Sequence, residues 1–409
     1  MLNIKDLLPI FSRGVVYLLG FISVFVISHV LGRQDFGAYS VIQSYAEMCV
    51  LIIGFGSYQA FARVVIQKKK NVTLGDVFYS LFFGSFLFAA FFLVLFFRND
   101  LFDSVEIAIP FVMGVFSYSL ILMILSIQRG YGQTWLLNIE FAIRSGLILL
   151  CIALFFIANI EISLKNILIF VVVSYFFVLI LSVCQTKLNW IDFKFKTHID
   201  FKERVHLLFS SVMGFMTKKS DLIVFSMFVP LTHIAAYKIA FLVAEAPSQF
   251  VQAFFVSKTK DIAKRGGYDK NGISKHFQIR GIALGLFLTS AVSVFLYFSA
   301  NYFSYVDHDV ISIYMVMLPY FIVRCYTLYQ EIYLMILAKS EHIRNRTFIE
   351  LLIKAALFVC AFLFYREAPE FIYVVLVFLE VLVFEFSVKY EFGYFPILSL
   401  IRGSAHVGE

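Results

Sequence analysis

Charge is scarce in this chain of 409 residues: Asp, Glu, Lys and Arg make up 15% of it, against roughly 25% in soluble domains. Proline is scarce too, with seven residues, and tryptophan occurs twice. The five cysteines, Cys49, Cys151, Cys184, Cys325 and Cys360, all lie inside apolar runs. None forms a CxxC or a Cys/His group, so the sequence predicts buried free thiols, no disulfide and no bound metal. The eight histidines are scattered. There is no GxxxxGKS/T, GxGxxG, HExxH or GxSxG, so ATP hydrolysis and metal chemistry have no support. No cofactor is expected, and the chain does not read as an enzyme. No small-residue cleavage site follows a short apolar region at the start, so the first helix is expected to stay as a signal anchor.

What is abundant is apolar: 61% hydrophobic residues, with 51 Phe and 22 Tyr, and a mean hydropathy of +0.87. Soluble chains sit near roughly 45–50% apolar. The chain therefore reads as a polytopic membrane protein. Apolar runs fall at 10–31, 38–62, 76–97, 107–128, 134–158, 166–186, 207–229, 234–256, 277–299, 310–338, 347–365 and 369–390. Each is long enough to cross a bilayer, since about 20 helical residues span about 30 Å. Twelve spans place both ends on one side.

Charge in the loops sets the orientation. One set of loops and ends holds most of the basic residues, among them Lys68, Lys69 and Lys70, Lys194, Lys196 and Lys202, and Lys258, Lys260 and Lys264. The other set holds only Arg33, Arg98, Lys165 and Arg366. The positive-inside rule puts both termini in the cytoplasm. The net charge of +7 is thus that of membrane orientation, and nucleic acid is not an expected partner.

The chain also repeats itself. SHVLGRQDFGAYSVIQSYAE (28–47) aligns with SMFVPLTHIAAYKIAFLVAE (226–245), matching Ser28 to Ser226, Tyr39 to Tyr237, Ala46 to Ala244 and Glu47 to Glu245 at one constant spacing. Glu140 and Arg144 have counterparts in Glu350 and Lys354. Repeats of six helices keep the same orientation, which gives parallel repeats about an axis along the membrane normal. The expected fold is all-α: twelve transmembrane helices as two parallel-repeat six-helix bundles around a central cavity. The expected domains are an N-terminal bundle over 1–190, a cytoplasmic linker over 191–206, a C-terminal bundle over 207–390 and a cytoplasmic tail over 391–409.

Charge inside the spans carries the chemistry. Lys218, Lys219 and Asp221 sit in the middle of the seventh run, where each such residue costs roughly 2.5–3.5 kcal/mol on a lone helix. Lys218 and Asp221 share a helix face and Lys219 points about 100° away. The three form either a Lys–Asp pair plus a lysine bonded to another helix, or a cationic site in a watered cavity. Glu47 and Glu245 lie mid-span, and Tyr39, Gln43 and Glu47 form a polar stripe. These carboxyls act either as a proton or cation coupling site or hydroxyl binder, or as interhelical counter-charges. Lys238 either meets a polar head group or snorkels to the interface. Arg324 either binds phosphate or carboxylate, or pairs with Glu331. Arg13 lies one turn into the first helix with Tyr17 on the same face and is expected to face the cavity. Glu140/Arg144 and Glu350/Lys354 read as helix-stabilising pairs, and Arg280 as an interface anchor. Glu380 and Glu385 carry no assignment.

The Arg13 start followed by LGRQDFGAYS (31–40) resembles the "LG…FG.Y" feature that opens polysaccharide transporters. KKSDLIVFSMF followed by HIAAYKIAF resembles the matching feature of their second half, with Ala235 and Ala236 where glycine is usual before the tyrosine. The chain looks like a Wzx-type O-antigen flippase of the multidrug/oligosaccharidyl-lipid/polysaccharide exporter superfamily. The resemblance implies alternating access of two bundles around a cationic cavity in a bacterial inner membrane. The implied substrate is an undecaprenyl-diphosphate-linked oligosaccharide, moved from the cytoplasmic to the periplasmic leaflet. It implies substrate-binding cations at Arg13, Lys218, Lys219 and Arg324. Coupling or sugar contact falls to Glu47, Asp221, Lys238, Glu245 and Glu331. H+ or Na+ is the candidate coupling ion, and polysaccharide polymerase machinery the candidate protein partner. An antiporter for cationic drugs on the same fold is the alternative, but it calls for an acidic interior. A membrane glycosyltransferase or polymerase calls for a large catalytic outer loop, and the outer loops here are short.

Overall fold

A computed structural model describes residues 4–66, 70–98, 100–102, 104–131, 134–186, 191–257, 273–300, 307–336, 340–364 and 369–392. Within them the chain is helical almost throughout. The helices are α1 (Ile4–Gly54), α2 (Ser57–Ile66), α3 (Leu74–Arg98), α4 (Val105–Gly130), α5 (Thr134–Ile157), α6 (Leu164–Gln185), α7 (Phe201–Lys219), α8 (Asp221–Phe225), α9 (Leu231–Ser257), α10 (Ile273–Ala300), α11 (His308–Ile336), α12 (Ser340–Phe364) and α13 (Ile372–Phe392). Two short strands, β1 (Val72–Thr73) and β2 (Ile191–Asp192), pair in parallel. By length and apolar content, six helices among the described residues qualify as membrane-crossing, α1 counting once.

Three expected boundaries change, each for a local reason. The first two spans are two helices that follow each other without a loop in α1, meeting at Gly32 (φ 72°, ψ 175°), a conformation that glycine adopts without a Cβ clash. The second span ends at Gly54 rather than 62. Phe55 and Gly56 have positive φ, and the Tyr58 hydroxyl donates to the Val50 carbonyl at 2.7 Å, satisfying one of the acceptors that a helix end leaves open. A Cβ on Gly56 would lie 2.4 Å from the Arg204 carbonyl oxygen, so the turn also packs directly against α7. The seventh helix starts at Phe201 instead of 207 and stops at Lys219. Lys219 and Asp221 therefore bracket a helix junction at Ser220 instead of lying within an unbroken span.

The chain forms two compact units, Ser12–Ala235 and Ala236–Glu409, the latter with Met1–Phe11. The repeat boundary proposed from the sequence at 191–206 lies inside the first of them. That segment is tied to the start of α3. Val72 pairs with Ile191 and Thr73 with Asp192, and the Gly75 amide donates to the Lys194 carbonyl at 3.1 Å. The Thr73 hydroxyl bonds the Lys196 carbonyl at 2.6 Å. The first turn of α7 then inserts Arg204, fully buried, against Asp76 at 2.8 Å. Arg204 also donates to the Ser80 hydroxyl and lies over the Tyr79 ring. Asp76 accepts from the amides of His198 at 2.9 Å and Thr73 at 3.3 Å. A buried ion pair needs further hydrogen bonds to its remaining lone pairs and protons; here both Asp76 oxygens accept further bonds and the Arg204 Nε donates to the Ile199 carbonyl at 3.4 Å.

Small residues let helices approach closely, as in membrane bundles generally. A Cβ on Gly37 would sit 2.0 Å from the Leu231 carbonyl oxygen, and one on Gly84 2.0 Å from that of Ile53. Gly37→Ala is expected to lower stability by about 1–3 kcal/mol, read as an earlier thermal denaturation of the detergent-solubilised protein. An unchanged denaturation temperature would show that the contact yields freely.

Candidate functional site

The polar interior of the first unit is assembled by five helices. The second arm of α1 presents Tyr39, Gln43 and Glu47 at four-residue spacing, one helix face. From α7, the Lys219 Nζ donates to the Glu47 Oε2 at 2.8 Å. This pair is not enclosed by protein: the lysine side chain is 51% and the glutamate 26% exposed. A solvent-exposed pair of this kind is worth little as a stabiliser, about 0–1 kcal/mol.

Beside it sits a guanidinium in an aromatic cage. Arg144 on α5 donates from Nη1 to the Tyr175 hydroxyl of α6 at 3.2 Å. Its Cζ lies 5.3 Å from the Phe141 ring centre, 5.4 Å from Tyr175 and 5.9 Å from Tyr118 of α4. The Tyr118 and Tyr175 rings stack at 4.8 Å. Glu47 and Tyr39 act electrostatically on Arg144, and Lys219 acts on Tyr118, so pair and cage belong to one polar region. A small cavity of about 10 Å³ lies among Tyr118, Phe141, Arg144 and Tyr175. The Arg144 Nε has no hydrogen-bond partner among the described residues, and neither has the Gln43 Oε1 on α1. The first is a donor and the second an acceptor. Buried polar atoms without partners are uncommon and mark places where something else binds or moves.

The second unit carries a different set. Arg324 on α11 donates to Glu380 of α13 at 3.1 Å, and the Thr327 hydroxyl donates to the same carboxylate oxygen at 2.6 Å. Tyr237 and Tyr373 share a hydrogen bond of 3.0 Å, and the Gln249 amide donates to Glu245 at 2.6 Å. Lys354 is buried with its Nζ 5.5 Å from the Phe358 ring centre.

Of the residues singled out in the sequence, Lys219 and Glu47 are brought together. Asp221 is buried at the first turn of α8. Lys238 is half-buried on α9. Glu245 is held by Gln249. Arg324 is paired with Glu380, a residue without a sequence assignment. Arg13, Lys218 and Glu331 have side chains outside the described residues, as does Glu140, the expected partner of Arg144. Arg280 is exposed. Cys49 and Cys325 are buried, but Cys184 and Cys360 are exposed, correcting the expectation that all thiols are buried. Both lie in apolar helices, whose outer faces meet lipid instead of core.

Sequence reasoning missed the Arg144 cage because a glutamate stood four residues earlier and offered a simpler partner. The available signal was Tyr118 and Tyr175, hydroxyl-bearing rings inside otherwise apolar runs. It also missed Asp76–Arg204, whose two members lie 128 residues apart in the chain.

The profile of a family described as "Polysaccharide biosynthesis protein" matches residues 7–259. The chain belongs to this family. No curated protein matches it. Among solved structures, this polysaccharide biosynthesis family member is similar to an inward-facing multidrug resistance MATE family transporter of the MOP superfamily. The TM-score is 0.71 at 13% identity, over 98% of this chain and 100% of the other. The outward-facing form of a MATE family transporter gives 0.66 at 14% identity, over 98% and 95%. A MOP superfamily transporter from Pyrococcus furiosus, described as having a binding pocket of reverse polarity, gives 0.63 at 12% identity, over 94% and 93%. At such identities the likeness is one of fold: twelve helices in two repeats, as the sequence predicted. The protein is thus a multi-pass membrane protein of a transporter family.

Proposed function

We propose that this protein flips a polyprenyl-diphosphate-linked oligosaccharide, an O-antigen repeat unit, from the cytoplasmic to the periplasmic leaflet of a bacterial inner membrane. Alternating access of its two repeats drives the step, and both termini are cytoplasmic. The observation that carries this reading is the first unit's polar interior. An exposed lysine and a caged arginine stand beside three tyrosines, and the nearby carboxylate, Glu47, is already paired. Such a surface suits an anionic, hydroxyl-rich head group: cations meet diphosphate, and tyrosine rings and hydroxyls meet sugar. The lipid tail stays in the bilayer. Membership of a polysaccharide biosynthesis family supports the same reading. In this mechanism Lys219 alternates between Glu47 and the diphosphate, and Arg144, unable to lose its proton, keeps a fixed positive charge. Lys218, Arg13 and Arg324 are proposed as further cavity cations, and Glu245, Asp221, Lys238 and Glu331 as coupling or sugar contacts, with H+ or Na+ as coupling ion.

The alternative, an ion-coupled antiporter for drugs or small molecules, rests on Glu47, a partly exposed carboxylate that could exchange Lys219 for a proton or cation.

The deciding test is the strain deleted for this gene. Loss of surface polysaccharide with repeat units accumulating in the cytoplasmic leaflet supports the flippase, and normal polymer with altered drug tolerance supports the antiporter. A charge-swap cycle then separates roles. Lys219→Glu alone is expected to reduce surface polymer at least about ten-fold, equivalent to 1.4 kcal/mol. Adding Glu47→Lys re-forms the ion pair, and activity stays low if Lys219 meets the diphosphate. Full restoration by the double variant would show the pair to be structural.

A further inference from the structure

The segment that ties α7 to α3 exposes an alternating pattern that no transport step explains. Phe193 is 65% and Phe195 74% exposed, and Lys194, Lys196 and Lys202 are exposed with them. Two bare phenylalanines on a loop facing only water would be an aggregation liability. Their position is set by the backbone. The carbonyls of Lys194 and Lys196 bond to Gly75 and Thr73, and the Phe195 carbonyl oxygen would lie 2.3 Å from a Cβ on Gly75. On α3, Phe82 and Phe86 stand almost directly in line with Gly75, at seven and eleven residues' spacing. Both are exposed on a helix apolar and long enough to cross a membrane. Phe195 therefore lies at the N-terminal end of the exposed apolar stripe of α3.

We propose that residues 193–196, with Lys202, form an interfacial anchor for anionic phospholipid. Phe193 and Phe195 enter the head-group zone and the lysines hold lipid phosphates. Phenylalanine beside lysine is the composition of segments that lie in the head-group boundary, and basic residues near a membrane surface attract anionic lipid, each worth about a five-fold gain. Lys194 also meets Asp192 at 3.3 Å, but it is largely exposed and can reach both. Because the segment is tied to Asp76 and Arg204 of the first unit, lipid held here fixes the depth of that unit's end in the bilayer. The proposal does not depend on which substrate is carried.

The test places one fluorophore at the site. Trp135→Phe and Trp190→Phe remove the two native tryptophans, and Phe195→Trp, or separately Phe193→Trp, reports on the segment in vesicles. Brominated-chain phosphatidylglycerol at fixed mole fraction is expected to quench the reporter more strongly than brominated phosphatidylcholine. Lys194→Glu with Lys196→Glu should remove that preference, by about five-fold per lysine. Absence of quenching by either lipid, with emission typical of water, would overturn the anchor. Equal quenching by both lipids that the lysine changes leave unaltered would overturn the anionic-lipid assignment. So would removal of the preference by millimolar inorganic diphosphate at constant ionic strength, since the site would then hold a soluble anion.

Discussion

Asp76→Ala is expected to destabilise the protein by about 3–5 kcal/mol, because it strands a charged, fully buried Arg204. Folded domains are stable by only about 5–15 kcal/mol, so the variant should elute as aggregate or denature far earlier in detergent. The loss falls on one joint. Asp76 is bonded at once to Arg204, to the His198 amide and to the Thr73 amide, and these reach across 128 residues of chain. Removing both charges is the informative control. Asp76→Leu with Arg204→Met replaces the pair by apolar groups and is expected to recover most of the lost stability. A fall of under about 1 kcal/mol in Asp76→Ala, by thermal denaturation, would mean that water or another acceptor already serves Arg204.

Arg144→Leu is expected to leave the protein folded in the membrane and cut surface polysaccharide at least about ten-fold, or 1.4 kcal/mol. The leucine keeps the packing among Tyr118, Phe141 and Tyr175 but removes the charge and the bond to the Tyr175 hydroxyl. A hydrogen bond to a charged group contributes about 1.5–3 kcal/mol, and each desolvated cation–ring contact up to about 2. Arg144→Lys should fall between, since a lysine keeps the charge and loses the planar fork. Tyr175→Phe should behave more mildly than either. Membrane abundance measured alongside polymer separates transport from folding. Normal polymer in Arg144→Leu would remove the cage from the substrate path and leave Lys219 and Glu47 to carry it.

Much of the architecture was legible in the chain. Apolar runs of bilayer length report helices directly, because no other local structure satisfies its own backbone in lipid. The match of Tyr39 and Glu47 to Tyr237 and Glu245 exposed the repeat. The same spacing pairs Gly32 with Pro230, and both mark the start of a helix arm in the structure. Boundaries were less legible where a glycine or a distant contact decided them. Nothing local to 38–62 announces that Gly56 must turn to clear the backbone of Arg204.

The candidate site was half legible. Intramembrane charge identified Lys219, Glu47 and Arg324 because a charge in an apolar run is costly wherever it goes. Its partner is another matter. Glu47 and Lys219 are 172 residues apart, and Arg324 and Glu380 56, and no local periodicity reaches across such distances. By itself the sequence determined the membrane, the helices, the repeat and the cost of buried charge, all properties that each segment carries alone. Only the tertiary structure decided that Arg324 meets Glu380, that Arg204 is buried and that Arg144 sits among tyrosines. Hydrogen bonds and ion pairs act over a few ångströms, and which groups come that close is fixed by how helices pack.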